Sequence, residues 1–374
     1  MRILITGGGT GGHVNPALAV AEAVKKRDPE AEIAFVGTPR GIENKLVPAA
    51  GFKLFKVNVI GFRRSLSPRN IKAAWLAMIS PLKASAIIRK FKPDVVFGTG
   101  GYVSWPIMVA AARKKVPTAV HEANAVPGLA VRKLIPYTDK IYLNFKISEK
   151  SLGPGAEGKT QHVGCPLRSG IGELSRKAAR ERLGIEKDSF FILSFGGSLG
   201  AARLNEAAME LSGGYICRHP DVTYVHATGD SYYGEYREKF LAAGYDAYRN
   251  VKFEKYINDM DLMLAAADLV ICRSGAITLA ELSRAGRASI LIPSPNVTDN
   301  QQYKNARVFA DCGGAILIEE KDLTEEKLES AIESVRRDPS LQRNMEQSAR
   351  SISPDGAETV ICDGLFELAA GGKN

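Results

Sequence analysis

The chain has 374 residues, 45% of them hydrophobic, and a formal net charge of +9. That length and composition suit two globular cores rather than a disordered chain, and no run approaches the ~18 to 20 apolar residues of a membrane-spanning helix. The basic residues are spread along the chain rather than blocked, which argues against nucleic acid as a partner and leaves a polyphosphate substrate or an anionic membrane surface to explain the excess.

The chain opens on a strand, Ile3 to Thr6, and is expected to carry no signal peptide. A glycine turn, Gly7 to Gly12, follows, then a helical pattern from Pro16 to Lys26. Further strands are expected at Ile33 to Gly37, Lys53 to Val57, Val95 to Gly98, Thr118 to His121 and Lys140 to Leu143, with helical patterns between most of them. Between the third and fourth of these strands, Ile71, Trp75, Met78, Ile79 and Leu82 share one helix face until Ser80-Pro81 bends or ends the helix. Arg63, Arg64, Arg69, Lys72 and Lys83 flank that face, so it reads either as core or as a surface that rests on a membrane. The glycine-rich stretch Ser151 to Lys159, followed by Gly164-Cys165-Pro166, marks a boundary. The second half repeats the scheme: a strand at Phe191 to Phe195, a glycine turn at Gly196 to Gly200, a helical pattern from Ala201 to Leu211, and strands at Thr223 to Ala227, Val251 to Glu254, Leu269 to Cys272, Ser289 to Ile292 and Ala315 to Ile318. A last helix, about Ala357 to Ala370, could reach back to the first domain.

Alternating strands and helices mean parallel sheets with right-handed crossovers. The expected class is α/β, with two Rossmann-like doubly wound domains facing a cleft: a first domain over 1–163, a second over 164–350 and a returning helix over 351–374. Cys165, Cys217, Cys272, Cys312 and Cys362 stand singly, without zinc or disulfide spacing, which fits a reducing cytoplasm.

A glycine turn between strand and helix brings backbone N–H groups and the positive helix end close to a phosphate. Gly7-x-Gly9-x-x-Gly12 formally satisfies the dinucleotide fingerprint, but the second strand ends Phe35-Val36-Gly37-Thr38-Pro39-Arg40, without the acid that takes an NAD ribose. Arg40 keeps an NADP-linked oxidoreductase open, and a purely structural turn is a further alternative. His13 at the mouth of the first helix has the chemistry of a general base, or else packs against its own loop. In Arg273 to Glu281, Thr278 and Glu281 share a helix face while Leu279 and Leu282 turn to the core. Glu281 then either accepts the hydroxyls of a ribose whose phosphates rest at the helix start, or pairs with Arg284. Asp259-x-Asp261 fits a metal-holding pair less well than a helix start, with Asn258 or Asp259 as N-cap.

Gly7-Gly8-Gly9-Thr10-Gly11-Gly12-His13, Gly98-Thr99-Gly100-Gly101-Tyr102, His121 to Gly128, Gly196-Gly197-Ser198, Arg273 to Glu281 and Asp299-Asn300-Gln301-Gln302 together resemble the MurG family across essentially the whole chain. The resemblance implies the GT-B fold and an inverting transfer of N-acetylglucosamine from UDP-GlcNAc to the C4 hydroxyl of N-acetylmuramoyl-pentapeptide on undecaprenyl diphosphate, on the cytoplasmic face of the bacterial plasma membrane. It assigns the uracil to the Ile257 backbone, the ribose to Glu281, the diphosphate to Ser198 and the turn Gly275, Ala276, Ile277, Thr278, Leu279 and Ala280, and the sugar to Gln301 or Gln302. Arg168 is a further donor contact, and Thr10, Gly11, Gly12 and Asn124 lie on the acceptor side. Inversion needs a base, His13 first and Glu122 second, and stabilisation of departing UDP, which helix ends and loop amides supply without a metal. Cys165, Ala123, Val131 and Leu199 depart from the family pattern at positions assigned no chemistry. The alternatives are another lipid-directed GT-B transferase, the NADP-linked enzyme, and a nonenzymatic nucleotide-sugar scaffold, with cell-wall or division proteins open as partners.

Overall fold

The computed structural model describes residues 1–59 and 68–372, with the side chains of 68–78 left aside. Contacts divide it into two compact units, one of residues 1–169 and 353–374, the other of 170–352.

In the first unit, strands β1 (Arg2–Thr6), β2 (Glu32–Gly37), β3 (Lys53–Lys56), β4 (Val95–Gly98), β5 (Thr118–Glu122), β6 (Lys140–Leu143) and β7 (Thr160–His162) form a parallel sheet in the order β3-β2-β1-β4-β5-β6-β7. Its central strands are continuous apolar runs because helices cover both faces: Ile3, Leu4 and Ile5 of β1 have no exposed surface. The helices are α1 (Gly11–Arg27), α2 (Glu43–Ala49), α3 (Pro68–Phe91), α4 (Ser104–Arg113) and α5 (Leu129–Leu134).

In the second unit, β8 (Phe190–Phe195), β9 (Val222–Ala227), β10 (Val251–Glu254), β11 (Leu269–Cys272), β12 (Ala288–Leu291) and β13 (Ala315–Leu317) pair in the parallel order β10-β9-β8-β11-β12-β13. Around them lie α6 (Arg176–Leu183), α7 (Ala202–Gly214), α8 (Tyr233–Ala242), α9 (Met260–Ala266), α10 (Ala276–Ala285), α11 (Gln301–Asp311), α12 (Glu325–Arg336) and α13 (Pro339–Ser351). Local chemistry sets several ends: Asp338 caps α13 by accepting from the Ser340 and Leu341 amides, with Pro339 in the first turn. The chain then re-enters the first unit as α14 (Ala357–Gly371), whose Ile361, Cys362, Leu365 and Ala369 join Val14, Ala17, Val20, Ala21 and Val24 of α1 in one core cluster.

Three sequence expectations need correction. Helix α1 begins at Gly11, so Pro16 lies inside it rather than near its start. Pro81 does not end α3, because the helix's inward face runs on through Ala84, Ile88 and Phe91 against the first unit's core, on the side opposite exposed Leu82. The strand β7 follows the glycine-rich stretch and extends the first sheet, moving the boundary from before Gly164 to the 169/170 junction. Its sequence, Thr-Gln-His, is half-buried throughout and carries no apolar signal. Arg63 and Arg64 lie outside the described residues, as do the side chains of Arg69, Ile71, Lys72, Trp75 and Met78; Ile79 is half-buried and Leu82 is 73% exposed.

A buried polar chain ties β8, β9 and α7 together. Tyr224 donates to Ser194 (2.7 Å), Ser194 to Nδ1 of His226 (2.6 Å), Nε2–H of His226 to Asn205 Oδ1 (3.0 Å), and Asn205 Nδ2 to the Thr228 carbonyl (3.0 Å). Ser, His and Asn in sequence would suggest catalysis, but all three are sealed from solvent. Burial pushes His226 down to about 3, and pushes fully buried His121 in the first unit down to about 4. Both stay neutral in the fold and would protonate near pH 6.5 once unfolded, so their contribution is complete above that pH and is lost as pH falls toward those values. By pH 5 each should have cost its unit about 2 kcal/mol. Melting temperature should therefore drop between pH 7 and pH 5, and the drop should shrink in His226→Asn; a melting temperature flat across that range would rule this account out.

Candidate active site

In the first sheet β1 lies between β2 and β4, and in the second β8 lies between β9 and β11. These are the topological switch points, where doubly wound sheets bind ligands beyond the carboxyl ends of their strands. The glycine turns after β1 and β8 stand at these two places.

In the first unit, His13 is fixed at both its ring and its backbone. The ring Nδ1 lies 2.7 Å from the Thr99 carbonyl, and Thr99 Oγ1 donates to the His13 carbonyl at 2.7 Å. A carbonyl only accepts, so Nδ1 carries the proton and the neutral ring's lone pair is on Nε2. The ring lies along Gly100 and Gly101, both with left-handed backbones, φ 86° and 75°, where an added Cβ would press on it at 3.3 and 3.2 Å. Burial lowers the His13 pKa, and the bond to Thr99 only partly restores it. A half-buried neutral imidazole with a bare Nε2 can receive a proton near neutral pH.

Glu122 is placed differently from a second base. Its Oε1 accepts from the Asn124 amide (2.9 Å) and Asn124 Nδ2 (3.0 Å), and its Oε2 from the Gly128 amide (2.8 Å). Burial raises its pKa against these bonds. The carboxylate folds the 123–128 loop around itself and sets Asn124, which makes it an anchor of that loop. Thr10 is the N-cap residue of α1 and accepts from the His13 and Val14 amides through its carbonyl, while Thr10 and Gly12 are exposed. His121, behind the loop, donates from Nε2 to the Gly164 carbonyl at 2.9 Å. Of the positions that depart from the family pattern, Ala123, Val131 and Cys165 are buried and Leu199 is 71% exposed.

In the second unit, the turn after β8 is built backbone on backbone. Gly200 (φ 84°) and Gly229 (φ 83°) meet so closely that a Cβ on Gly200 would collide with the Thr228 carbonyl and one on Gly229 with the Gly200 amide. Gly197 (φ 94°) faces open space, and Ser198 is exposed. Next to it, α10 starts after Gly275 with no side-chain cap. The Ala276, Ile277 and Thr278 amides occupy the first turn, where a helix leaves its donors unused. The Leu279 amide is already bonded to the Gly275 carbonyl (3.0 Å), and Leu279 and Ala280 are buried, so of the 275–280 run only the first four residues are partly exposed. Thr278 and Glu281 are half-buried on one face, with Leu279 and Leu282 fully buried.

Ile257 is 6% exposed, with its side chain in the interior, and Arg168 is exposed at the end of the first unit. Gln302 is committed through Oε1 to the Ser294 amide (2.8 Å) and through its carbonyl to Ser274 Oγ (2.8 Å), while Gln301 is half-buried at the start of α11. Arg273 donates to the Ile292 carbonyl (3.0 Å) and pairs with Glu320, locking β11 to β12. Asp259 holds the N-cap position of α9 with Asp261 in its first turn, a helix start. Among the described residues no three His, Cys, Asp or Glu side chains are grouped as a metal site.

Sequence reasoning missed Glu43. It is fully buried beneath the first glycine turn, where Oε2 accepts from the Gly9 amide (2.9 Å) and Oε1 from Thr38 N (2.7 Å) and Oγ1 (2.8 Å). The only sequence signal is a run of small residues, Gly37-Thr38, Gly41 and Gly8, that leaves room for a carboxylate.

The glycosyltransferase family 28 N-terminal domain matches residues 3–143 and the family 28 C-terminal domain residues 191–360. A UDP-N-acetylglucosamine–N-acetylmuramyl-(pentapeptide) pyrophosphoryl-undecaprenol N-acetylglucosamine transferase of Acetivibrio thermocellus is 42% identical, over 99% of this chain and all of that protein. The enzyme of the same name from Desulforudis audaxviator is 39% identical over the full length of both. Among solved structures, Acinetobacter baumannii MurG superposes with a TM-score of 0.77 at 27% identity, covering 98% of this chain and 99% of that one. With two family 28 domains, two parallel sheets and full-length likeness to these transferases, the chain belongs to the MurG family of GT-B glycosyltransferases.

Proposed function

We propose that this enzyme moves N-acetylglucosamine from UDP-GlcNAc to the C4 hydroxyl of N-acetylmuramoyl-pentapeptide on undecaprenyl diphosphate, the step from lipid I to lipid II in peptidoglycan synthesis. The observation that carries it is the 42% identity over nearly the whole chain to a transferase named for that donor and acceptor. Each unit carries residues of matching chemistry. His13 Nε2 takes the acceptor hydroxyl's proton as its oxygen bonds to the anomeric carbon and the bond from that carbon to UDP breaks, which inverts the centre. The open turn around Gly197 and Ser198 and the first amides of α10 take the charge of departing UDP, with Glu281 on the ribose, the Ile257 backbone on uracil, Gln301 on the sugar and Arg168 as a further donor contact. Amide donors already in place stabilise that charge without a divalent ion, so the chemical step is proposed to be metal-independent.

A lipid-linked acceptor together with a water-soluble nucleotide-sugar donor supports a peripheral placement on the cytoplasmic face of the plasma membrane; no described helix is long and apolar enough to cross a membrane. Docking through the first unit is supported by exposed Leu82 and Lys83 on α3, Leu82 being the last position of the sequence spacing Ile71, Trp75, Met78, Ile79, Leu82. Each basic residue at an anionic surface contributes about 1 kcal/mol, so a few suffice for reversible docking.

One assay tests the reading: a panel of nucleotide sugars offered with a short soluble acceptor in the presence of EDTA, then with the acceptor in anionic vesicles. Only UDP-GlcNAc should be consumed, EDTA should leave turnover intact, and vesicle binding should weaken with salt. Trp75→Ser with Ile79→Ser should lose the vesicles and keep the soluble acceptor. Consumption of another sugar nucleotide points to a different lipid-directed transferase, and a double variant that still binds vesicles moves the membrane surface elsewhere.

A further inference from the structure

The two glycine turns differ in what fills them. In the second, Gly197 faces open space and Ser198 and Leu199 are exposed. In the first, the interior is occupied by the carboxylate of Glu43. An added Cβ on Gly8, Gly37 or Gly41 would run into that side chain, so three glycines form a cradle with the carboxylate inside. The donors that face it are the Gly9 and Thr38 amides and the Thr38 hydroxyl. Thr38 Oγ1 in turn accepts from the Gly41 amide (3.1 Å), and Asn44 Nδ2 donates to the Thr38 and Gly41 carbonyls (2.8 and 2.9 Å), closing the cradle from the α2 side. Burial works against the charge, yet these bonds together hold the carboxyl below its usual range, so it is an anion at neutral pH.

We propose that Glu43 is the built-in anion of the first glycine turn, a positioning residue that stands where nucleotide-binding turns hold a phosphate and thereby presents Thr10 to His13 in their working geometry. The proposal rests on the transferase reading of the first unit. Gly9 has φ 88°, with Glu43 on its amide and the Tyr102 ring 3.5 Å from where a Cβ would lie on its other side. Thr10, the next residue, starts α1, and His13 follows within the first turn. Fixing Gly9 therefore fixes the start of the helix that carries His13, much as a bound phosphate fixes a nucleotide turn. It also removes the Gly9 amide from the donors a nucleotide could use, although the fingerprint spacing is present and Arg40 follows β2. Nucleotide recognition is thus left to the second unit, where the turn is open.

The test uses the full chain with Glu43→Ala and Glu43→Gln, and formate as a small carboxylate. Glu43→Ala should keep its UDP affinity, a property assigned to the second unit, and lose turnover roughly 10-fold or more through misplacement of the acceptor-side groups. Formate, but not chloride at equal ionic strength, should recover several-fold of that loss and raise the variant's melting temperature, leaving wild type unmoved. Glu43→Gln fills the cradle but turns an NH2 toward one of the donors, so it should lose turnover and ignore formate. The proposal is overturned if either variant turns over like wild type, or if folded Glu43→Ala gains neither activity nor thermal stability from formate. The thermal arm needs no transferase activity, so failure of the functional reading, seen as inactive wild type, stays distinct from failure of this inference.

Discussion

Replacing His13 by alanine is expected to lower turnover roughly 100-fold or more, the usual scale for a general base, with UDP affinity within twofold of wild type. The expectation follows from the tautomer. Donation from Nδ1–H to Thr99 leaves the lone pair on Nε2, and burial lowers the pKa, so the ring is deprotonated at neutral pH without help. A base must be unprotonated to act, so the acid limb of kcat/KM should fall below 6.5, the ordinary histidine value, and not above it. His121 cannot produce that limb, since it titrates only at about 4 and is sealed from solvent. Alanine also leaves a space beside Gly100 and Gly101, so the pH profile separates chemistry from packing: loss of the base removes the acid limb, whereas a packing defect lowers the rate and keeps it. Turnover within a few-fold of wild type would make His13 a structural strut between the loops after β1 and β4. Glu122 could inherit the role only by breaking the bonds it accepts from Asn124 and Gly128.

The strands were legible because parallel sheets covered on both faces need unbroken apolar runs, and Ile3 to Ile5 and Phe191 to Phe195 are such runs. The glycine turns were legible for a steric reason: Gly9, Gly197 and Gly200 hold positive φ, which few other residues tolerate. What stayed hidden depends on pairing. Glu43 meets Gly9 only because β1 and β2 align Thr6 with Val36, which sets the turn after one strand beside Thr38 at the end of the other. In one dimension it is a single acid at the start of a short helix. The His226 chain is hidden for the same reason, since Ser194, Asn205, Tyr224 and His226 converge only through the β8 to β9 register and the packing of α7. Pro81 misled in the opposite direction: a local helix-breaking rule lost to tertiary burial of Ala84, Ile88 and Phe91.

Glu281→Ala is expected to weaken UDP binding by about 1.5 to 3 kcal/mol, or roughly 10- to 150-fold, as a charged hydrogen-bond acceptor is removed. Glu281 lies on the half-buried face of α10 with Thr278, inward of the amides proposed for the diphosphate. Its charge is felt at the end of β11, where it adds to burial in pushing the Cys272 thiol up. A carboxylate in that place can accept both hydroxyls of a ribose whose phosphates rest at the helix start. If it does, the loss must follow the ribose and not the phosphates: uridine and UDP should weaken by the same factor. Wild type should bind 2′-deoxy-UDP more weakly than UDP, and Glu281→Ala should discriminate less between the two, because the missing hydroxyl and the missing carboxylate break the same bond. The competing account, a helix-surface pair with Arg284, predicts instead that Arg284→Ala copies Glu281→Ala and that the deoxy penalty adds in full. Equal UDP affinity in Glu281→Ala, or fully additive losses with the deoxy ligand, would take the ribose away from Glu281.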